Sequence, residues 1–224
     1  MPRIREELLE CVVYLYNTEE RARAGAAEGV RGTGFLVTVR LENAPKEQPV
    51  QTQLYVVTAA HNIEKGATVI RLNRPDGATQ VCSTGTAEWV SHAEGDDVTA
   101  CPLHIDLGPH SYFWKTVRPQ EFVWRERLNG LGIRPGDDVF MVGRFVNHEG
   151  TERNAPVVRF GTIAMMPGEP IRQERGFDQE SYLVECRSLP GFSGSPVFVY
   201  MPSGFAKWST ERKEKSGQTP ARNR

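Results

Sequence analysis

One serine of the sequence stands where it could act as a nucleophile. The stretch LPGFSGSPVF, residues 189–198, sets Ser193 among glycines, followed by a second serine and a proline. A tight turn that needs glycine at positive φ accounts for such a stretch equally well. Taken alone, the stretch supports a turn and an exposed nucleophile about equally. The second interpretation needs a base, an orienting acid and an oxyanion site elsewhere in the chain.

A histidine that could serve as the base follows an apolar strand. In LYVVTAAHNI the strand runs directly into Ala59, Ala60 and His61. Small residues after a strand let the next side chain lie in a crowded place beside other backbone. The alternative is a histidine that simply packs at the end of a strand.

Two neighbouring aspartates could supply the acid. EGDDVTACPL places Asp96 and Asp97 just before an apolar-leaning strand, although such a pair is often only a turn. Serine needs an adjacent imidazole to take its proton, and the imidazole needs a carboxylate to hold its tautomer. Gly191, which has no side chain, would allow backbone N–H groups near Ser193 to approach a developing oxyanion.

Short strands must position these residues. Strand-like runs bounded by turns rich in glycine, proline and asparagine dominate the sequence, and only residues 121–131 have a helical pattern. The pattern therefore predicts an all-β fold of barrels or sandwiches. The predicted strands are 11–16, 34–39, 54–58, 68–72, 88–92, 98–103, 139–145, 157–165, 182–186 and 196–200.

The order of the three candidate residues resembles that of a known enzyme family. His61, Asp97 and Ser193, within GTGFLV, TAAH, DDV and GFSGSP, occur as in the chymotrypsin-like (trypsin-like) serine peptidases, most closely their bacterial, disulfide-free branch. The resemblance implies that His61 is the general base, that Ser193 is the nucleophile, and that Gly191 and Ser193 donate the oxyanion N–H groups. It favours Asp97 over Asp96 as the acid, because the family's aspartate is followed by an apolar residue that starts a strand.

The resemblance extends over roughly residues 11–200 and implies two perpendicular antiparallel β-barrels with six strands each. GDDVFMVGRF followed by VVRFGTIAMM is similar to the opening strands of the second barrel. We expect a first barrel in residues 1–105, a second barrel in residues 106–205 and a disordered basic tail in residues 206–224.

The sequence also departs from the family's pattern. Phe192 stands where secreted members have an aspartate that pairs with a newly cut N-terminus, so we expect no activation by cleavage. Asn62 stands where those members have a cysteine. Arg187 and Pro190 are the candidate substrate-pocket residues. A cation at Arg187 would favour acidic P1 side chains, unless it faces solvent or pairs with Glu185.

Composition argues against several other functions. The 27 basic and 28 acidic residues balance, no run of about 20 apolar residues exists, and basic and aromatic residues do not interleave. We therefore expect no nucleic-acid partner and no membrane association. Four cysteines lie far apart, which favours reduced thiols and a cytoplasmic location. Neither a metal nor an organic cofactor is expected.

The sequence thus predicts a serine endopeptidase that acts on peptide or protein substrates through an acyl-enzyme. The alternative is a weak or inactive peptidase-fold module that binds a peptide or a partner protein. After the serine strand, the alternation needed for two closing strands is missing beyond Phe205. We therefore expect a second barrel that is incomplete at its C-terminal end, and a partner chain or second copy that completes it.

Overall fold

A computed structural model of the chain describes residues 4–25, 30–41, 51–74, 76–105, 115–144, 150, 152–173, 176–187 and 191–201. The strands are β1 (Val12–Tyr16), β2 (Val30–Arg40), β3 (Thr52–Thr58), β4 (Val69–Asn73), β5 (Thr79–Ser83), β6 (Val90–Ser91), β7 (Thr99–Leu103), β8 (Asp138–Gly143), β9 (Val157–Met165), β10 (Ile171–Arg172), β11 (Asp178–Gln179), β12 (Leu183–Cys186) and β13 (Val197–Val199). The helices are α1 (Glu7–Glu10), α2 (Glu19–Ala24), α3 (Ala60–Glu64) and α4 (Arg125–Leu131).

Strand β1 lies between two hydrophobic cores. All five of its residues are buried, so it lacks the alternation of a strand with one solvated face. Val13 and Leu15 belong to the core inside the first sheet. Tyr14 and Tyr16, on the opposite face, pack in a second core that includes Phe140 from the other half of the chain. Because each face of β1 packs in a hydrophobic core, neither face needs polar side chains, and the whole strand is built from apolar and aromatic residues.

The first sheet has seven antiparallel strands in the order β5-β4-β1-β2-β3-β7-β6. Strand β2 pairs with β3 over seven residues, from Gly34 opposite Thr58 to Arg40 opposite Thr52. Strand β3 pairs in turn with β7, with Thr58 opposite Thr99. Thr58 therefore ends β3 at the point where the neighbouring strand β7 begins.

The second sheet has four strands in the order β12-β9-β8-β13, and β10 and β11 form a separate hairpin. On one face of this sheet, Leu128 of α4 packs with Val139 and Ile163. Gly132 ends α4 in the left-handed conformation and donates its N–H to the carbonyls of the last turn. Within the described part of the chain, β12 and β13 are the free edges of this sheet.

The predicted all-β class is confirmed, and β9 has the predicted bounds. The predicted strand at residues 88–92 is shorter, because residues 86–88 form a 3-10 turn. Strand β5 was not predicted, since its sequence TQVCS is mostly polar and half-exposed. Among the described residues, the first of the two implied barrel regions forms a sheet of seven strands and the second a sheet of four. The tail at residues 206–224 lies outside the described residues.

None of the helices in the described ranges has the length and apolar content needed to cross a membrane. The four cysteines are free, and Cys11 and Cys101 are buried. Burial raises the pKa of the Cys11 thiol to about 12 and that of Cys101 to about 11.

Candidate active site

The pairing of β3 with β7 brings His61 and Asp97 together. Thr58 ends β3 and pairs with Thr99, the first residue of β7. His61 follows Thr58 by three residues and Asp97 precedes Thr99 by two, so both lie at the same end of two neighbouring strands. The histidine lies on α3, a short helix rather than the end of a strand.

Asp97 contacts His61 through both of its carboxylate oxygens. Oδ2 lies 2.6 Å from the imidazole Nδ1, and Oδ1 accepts the backbone N–H of His61 at 2.9 Å. An ionised carboxylate can only accept hydrogen bonds, so this contact favours the neutral imidazole tautomer that carries its proton on Nδ1 and presents Nε2 as an acceptor. The two side chains are 20% and 23% exposed, which shields the pair but leaves the imidazole within reach of a substrate.

Asp96 has a different neighbour. Its carboxylate lies 3.4 Å from Nδ1 of His92, in a pair whose side chains are 28% and 42% exposed. The N–H of Val98 donates to the carbonyl of Asp96 at 2.7 Å, which closes a three-residue turn centred on Asp97. This turn directs the two adjacent carboxylates to different histidines.

Ser193 lies at the crest of a tight turn between the second sheet's two edge strands. Ser195 N–H donates to the Phe192 carbonyl at 2.9 Å, and Gly194, the third residue of the turn, has φ of 84°. Positive φ at that position is characteristic of a type II turn. Ser193, in the second position, is exposed.

The turn is attached to the first sheet by polar contacts. The Ser193 carbonyl accepts the N–H of Thr33 at 2.9 Å and the side-chain amide of Asn62 at 3.0 Å. The Thr33 hydroxyl donates to the Gly191 carbonyl at 2.7 Å. Thr33 is in β2 and Asn62 follows His61 on α3, so these contacts connect the serine turn to the elements around the histidine.

The underside of the turn packs on the second sheet. Phe192 is 3% exposed, and the Arg159 guanidinium lies 5.1 Å from the centre of its ring. A Cβ on Gly143 of β8 would come within 2.8 Å of that ring. The Phe192 side chain is therefore fixed by packing in the position where the family resemblance places an ion pair.

A buried cation lies behind Gly191. A Cβ at Gly191, whose φ is 92°, would lie 3.2 Å from Cδ and from a terminal nitrogen of Arg144. Arg144 is 6% exposed, and burial lowers the pKa of its guanidinium from the usual value. Arginine stays charged after a shift of this kind, so a positive charge lies beside the backbone at Gly191.

Two backbone N–H groups and one hydroxyl at the turn have no hydrogen-bond partner among the described residues. Within the described part of the chain, neither the N–H of Gly191 nor that of Ser193 donates a hydrogen bond, and none joins Ser193 Oγ to His61 Nε2. Such serine–histidine contacts are often long in the absence of substrate. Arg187 is exposed, and Pro190 lies outside the described residues.

Several residues at this site were missed by the sequence reasoning. Thr33 is hidden inside the GTGF motif, and Asn62 stands out only as a departure from the cysteine of secreted relatives. The sequence around Arg144 and Arg159 contains no motif that would indicate a role at this site, because only the order of the strands brings the two side chains beneath the turn. No three metal-ligating side chains lie together in the described ranges.

Comparison with solved structures shows the fold. No protein-family profile matches the sequence, and no curated protein matches it. The MamO protease domain from Magnetospirillum magneticum is similar with a TM-score of 0.57 and 15% identity, over 88% of this chain and 82% of that one. Deg5 is similar with a TM-score of 0.56 and 17% identity, over 87% of this chain and 76% of that one. These two likenesses show that the chain has the all-β, chymotrypsin-like fold.

Proposed function

We propose that this protein is a serine endopeptidase that works through an acyl-enzyme. Ser193 Oγ attacks the scissile carbonyl carbon, and its proton passes to His61 Nε2. The same proton then goes to the leaving amine as the peptide C–N bond breaks. Water, deprotonated by His61, attacks the resulting ester, and the imidazolium returns that proton to Ser193 Oγ as the acyl–oxygen bond breaks and the acid leaves. These steps call for no metal or organic cofactor.

The observation that carries this proposal is the double contact between Asp97 and His61. A carboxylate on Nδ1 holds the imidazole in the tautomer whose Nε2 is free to take a proton, and it stabilises the cation formed. The second contact, to the backbone N–H of His61, fixes the carboxylate itself. A histidine held only by packing would need neither contact.

The oxyanion site is proposed at the N–H groups of Gly191 and Ser193. The Phe192 carbonyl points into the turn, toward the Ser195 N–H. Since a trans peptide directs its N–H opposite its carbonyl, the N–H of Ser193 points away from the turn interior. The charge of Arg144 beside Gly191 adds a favourable potential for negative charge at this place.

A fluorophosphonate probe tests the proposal directly. We expect the probe to form a covalent adduct at Ser193 in the wild-type chain and none in Ser193→Ala. Ser195→Ala is the matched control, because Ser195 lies in the same turn with a buried hydroxyl, and it should keep the adduct. Digestion of a peptide library, compared with Ser193→Ala, then identifies the substrate. No adduct at Ser193 in the wild-type chain would reject the proposal.

A second candidate is a weakly active or inactive module that binds a peptide or partner. It is favoured by the free edges of β12 and β13 in the described part of the second sheet. A groove of about 1120 Å³ beside them is lined by Ile133, Phe140 and Val199 among other residues. Exposed edges of this kind accept an added strand.

Protein concentration tests whether a second copy completes the sheet. If a partner strand from a second copy completes the sheet, peptide hydrolysis per mole of chain rises with protein concentration. Loose positioning of about 1 Å costs on the order of 100-fold in rate, so a single copy should be feeble. Full activity that does not depend on concentration would reject the need for a partner.

A further inference from the structure

We propose that Thr33 and Asn62 form a polar clamp that holds the Ser193 turn in its catalytic geometry, and that both are positioning residues. This inference rests on the proposed function for its chemical consequence, but the clamp itself is a structural feature. Thr33 is fully buried and Asn62 is 1% exposed, so water does not compete for their hydrogen bonds.

The clamp holds the peptide planes on both sides of the proposed oxyanion donor at Ser193. The Thr33 hydroxyl binds the Gly191 carbonyl, which fixes the plane between Gly191 and Phe192. The Thr33 N–H and the Asn62 amide bind the Ser193 carbonyl, which fixes the plane after Ser193. The plane between them carries the Ser193 N–H, and the hydrogen bond from the Ser195 N–H to the Phe192 carbonyl holds it within the turn.

Asn62 links the nucleophile to the base. It directly follows His61, and its side-chain nitrogen lies 3.0 Å from the Ser193 carbonyl and 3.1 Å from the Thr58 hydroxyl. The hydroxyl of Thr58 donates in turn to the Thr33 carbonyl at 2.7 Å. One side chain therefore spans α3, the end of β3 and the serine turn, and the arrangement sets the distance between elements from opposite halves of the chain.

The clamp also leaves no room for larger groups. A Cβ on Gly32 would overlap the Asn62 side chain, and one on Gly194 would overlap the Thr33 carbonyl and the Thr58 hydroxyl. Two glycines thus line the contact between the sheet and the turn. Because these glycines let the backbone of the turn approach the backbone of the sheet closely, direct hydrogen bonds can join the two.

Thr33→Val removes the hydroxyl and keeps the size and the backbone N–H, whereas Thr33→Ser keeps the hydroxyl. Thr38→Val is the matched control, because Thr38 is in the same strand and donates a hydroxyl hydrogen bond to Thr116, away from the turn. The first measurement is amide hydrogen exchange at residue 33 and at Ser195. The second is the rate of fluorophosphonate labelling of Ser193.

We expect exchange at residue 33 and at Ser195 to rise about tenfold in Thr33→Val, since a lost buried hydrogen bond is worth about one factor of ten. Labelling should fall at least as much. Thr33→Ser should stay within about threefold of wild type, and Thr38→Val should match wild type at both amides. Asn62→Leu gives an independent variant and should raise exchange at the same two amides.

The outcomes separate the clamp from the proposed function. If exchange at both amides in Thr33→Val and Asn62→Leu equals that in Thr38→Val, the clamp is wrong, whatever the labelling shows. If exchange rises as expected but wild-type Ser193 takes no label, the clamp stands and the peptidase proposal fails. If Thr33→Ser loses as much protection as Thr33→Val, the hydroxyl is not the holding group and the clamp is overturned.

Discussion

Replacing Gly194 by alanine should destabilise the fold far more than an ordinary glycine substitution. At φ of 84° an alanine is in the left-handed region, which costs roughly 1–2 kcal/mol. The new Cβ would overlap the Thr33 carbonyl and the Thr58 hydroxyl and would lie 2.9 Å from the Ala59 nitrogen. Displacing the hydroxyl removes two hydrogen bonds of about 1 kcal/mol each, and shifting the backbone adds roughly 1–3 kcal/mol.

The matched control is Gly77→Ala. Gly77 also has positive φ, 88°, but a Cβ there would meet nothing within 4 Å. Gly77→Ala should therefore lower the free energy of unfolding only by the roughly 1–2 kcal/mol that the left-handed conformation costs. The two variants should therefore differ in free energy of unfolding by about 3–5 kcal/mol, a large share of the about 5–15 kcal/mol that stabilises a typical domain.

Urea denaturation followed by tryptophan fluorescence measures both variants against the wild type. Equal losses for Gly194→Ala and Gly77→Ala would show that the turn does not press against the sheet as described. Labelling of Ser193 in the folded fraction of Gly194→Ala should also fall, because the turn must lift from Thr33 to admit the methyl group.

Three further predictions concern the acid, the packing beneath the turn and the thiols. Asp97→Asn should slow fluorophosphonate labelling of the serine by about 10⁴-fold, because an amide favours the wrong imidazole tautomer, whereas Asp96→Asn should leave the rate within a few-fold. Equal labelling rates for the Asp97→Asn and Asp96→Asn variants would show that Asp97 does not orient the imidazole. Phe192→Ala should cost about 3–5 kcal/mol in urea denaturation, since the ring is 3% exposed, and Phe160→Ala, at 49% exposure, should cost well under half of that. With a pKa of about 12, Cys11 is thiolate at a fraction on the order of 10⁻⁴ at pH 8, so iodoacetamide followed by mass spectrometry should modify it only after unfolding. Rapid modification of the native chain would contradict its burial.

The sequence alone predicts those features of the fold and of the candidate site that depend on a short, local pattern of residues. Strand β9 has its predicted bounds, because its residues have high β-propensity and turn residues flank it. His61, Asp97 and Ser193 each follow or precede a strand in a short motif, so the sequence alone shows their types and their order.

The parts that escaped prediction depend on pairing between distant segments. The clamp at Thr33 joins residues 158 positions apart, and no local pattern reports such a contact. Strand β5 was missed because its half-exposed residues have no apolar alternation, and its partner β4 decides its conformation. The helix that carries His61 has only five residues, fewer than periodicity can reveal.

The position of β1 between two cores has a consequence for cooperativity. A fragment that ended after the first sheet would uncover part of the core around Val12, Tyr14 and Tyr16, because that core also contains Val117, Phe140 and Val142 from the other half of the chain. Such a fragment would be aggregation-prone rather than an autonomous folding unit. The two halves should therefore melt in one transition, and the proposed catalytic groups that they contribute would be lost and regained together, since β1 packs in both cores and the second core draws residues from both halves of the chain.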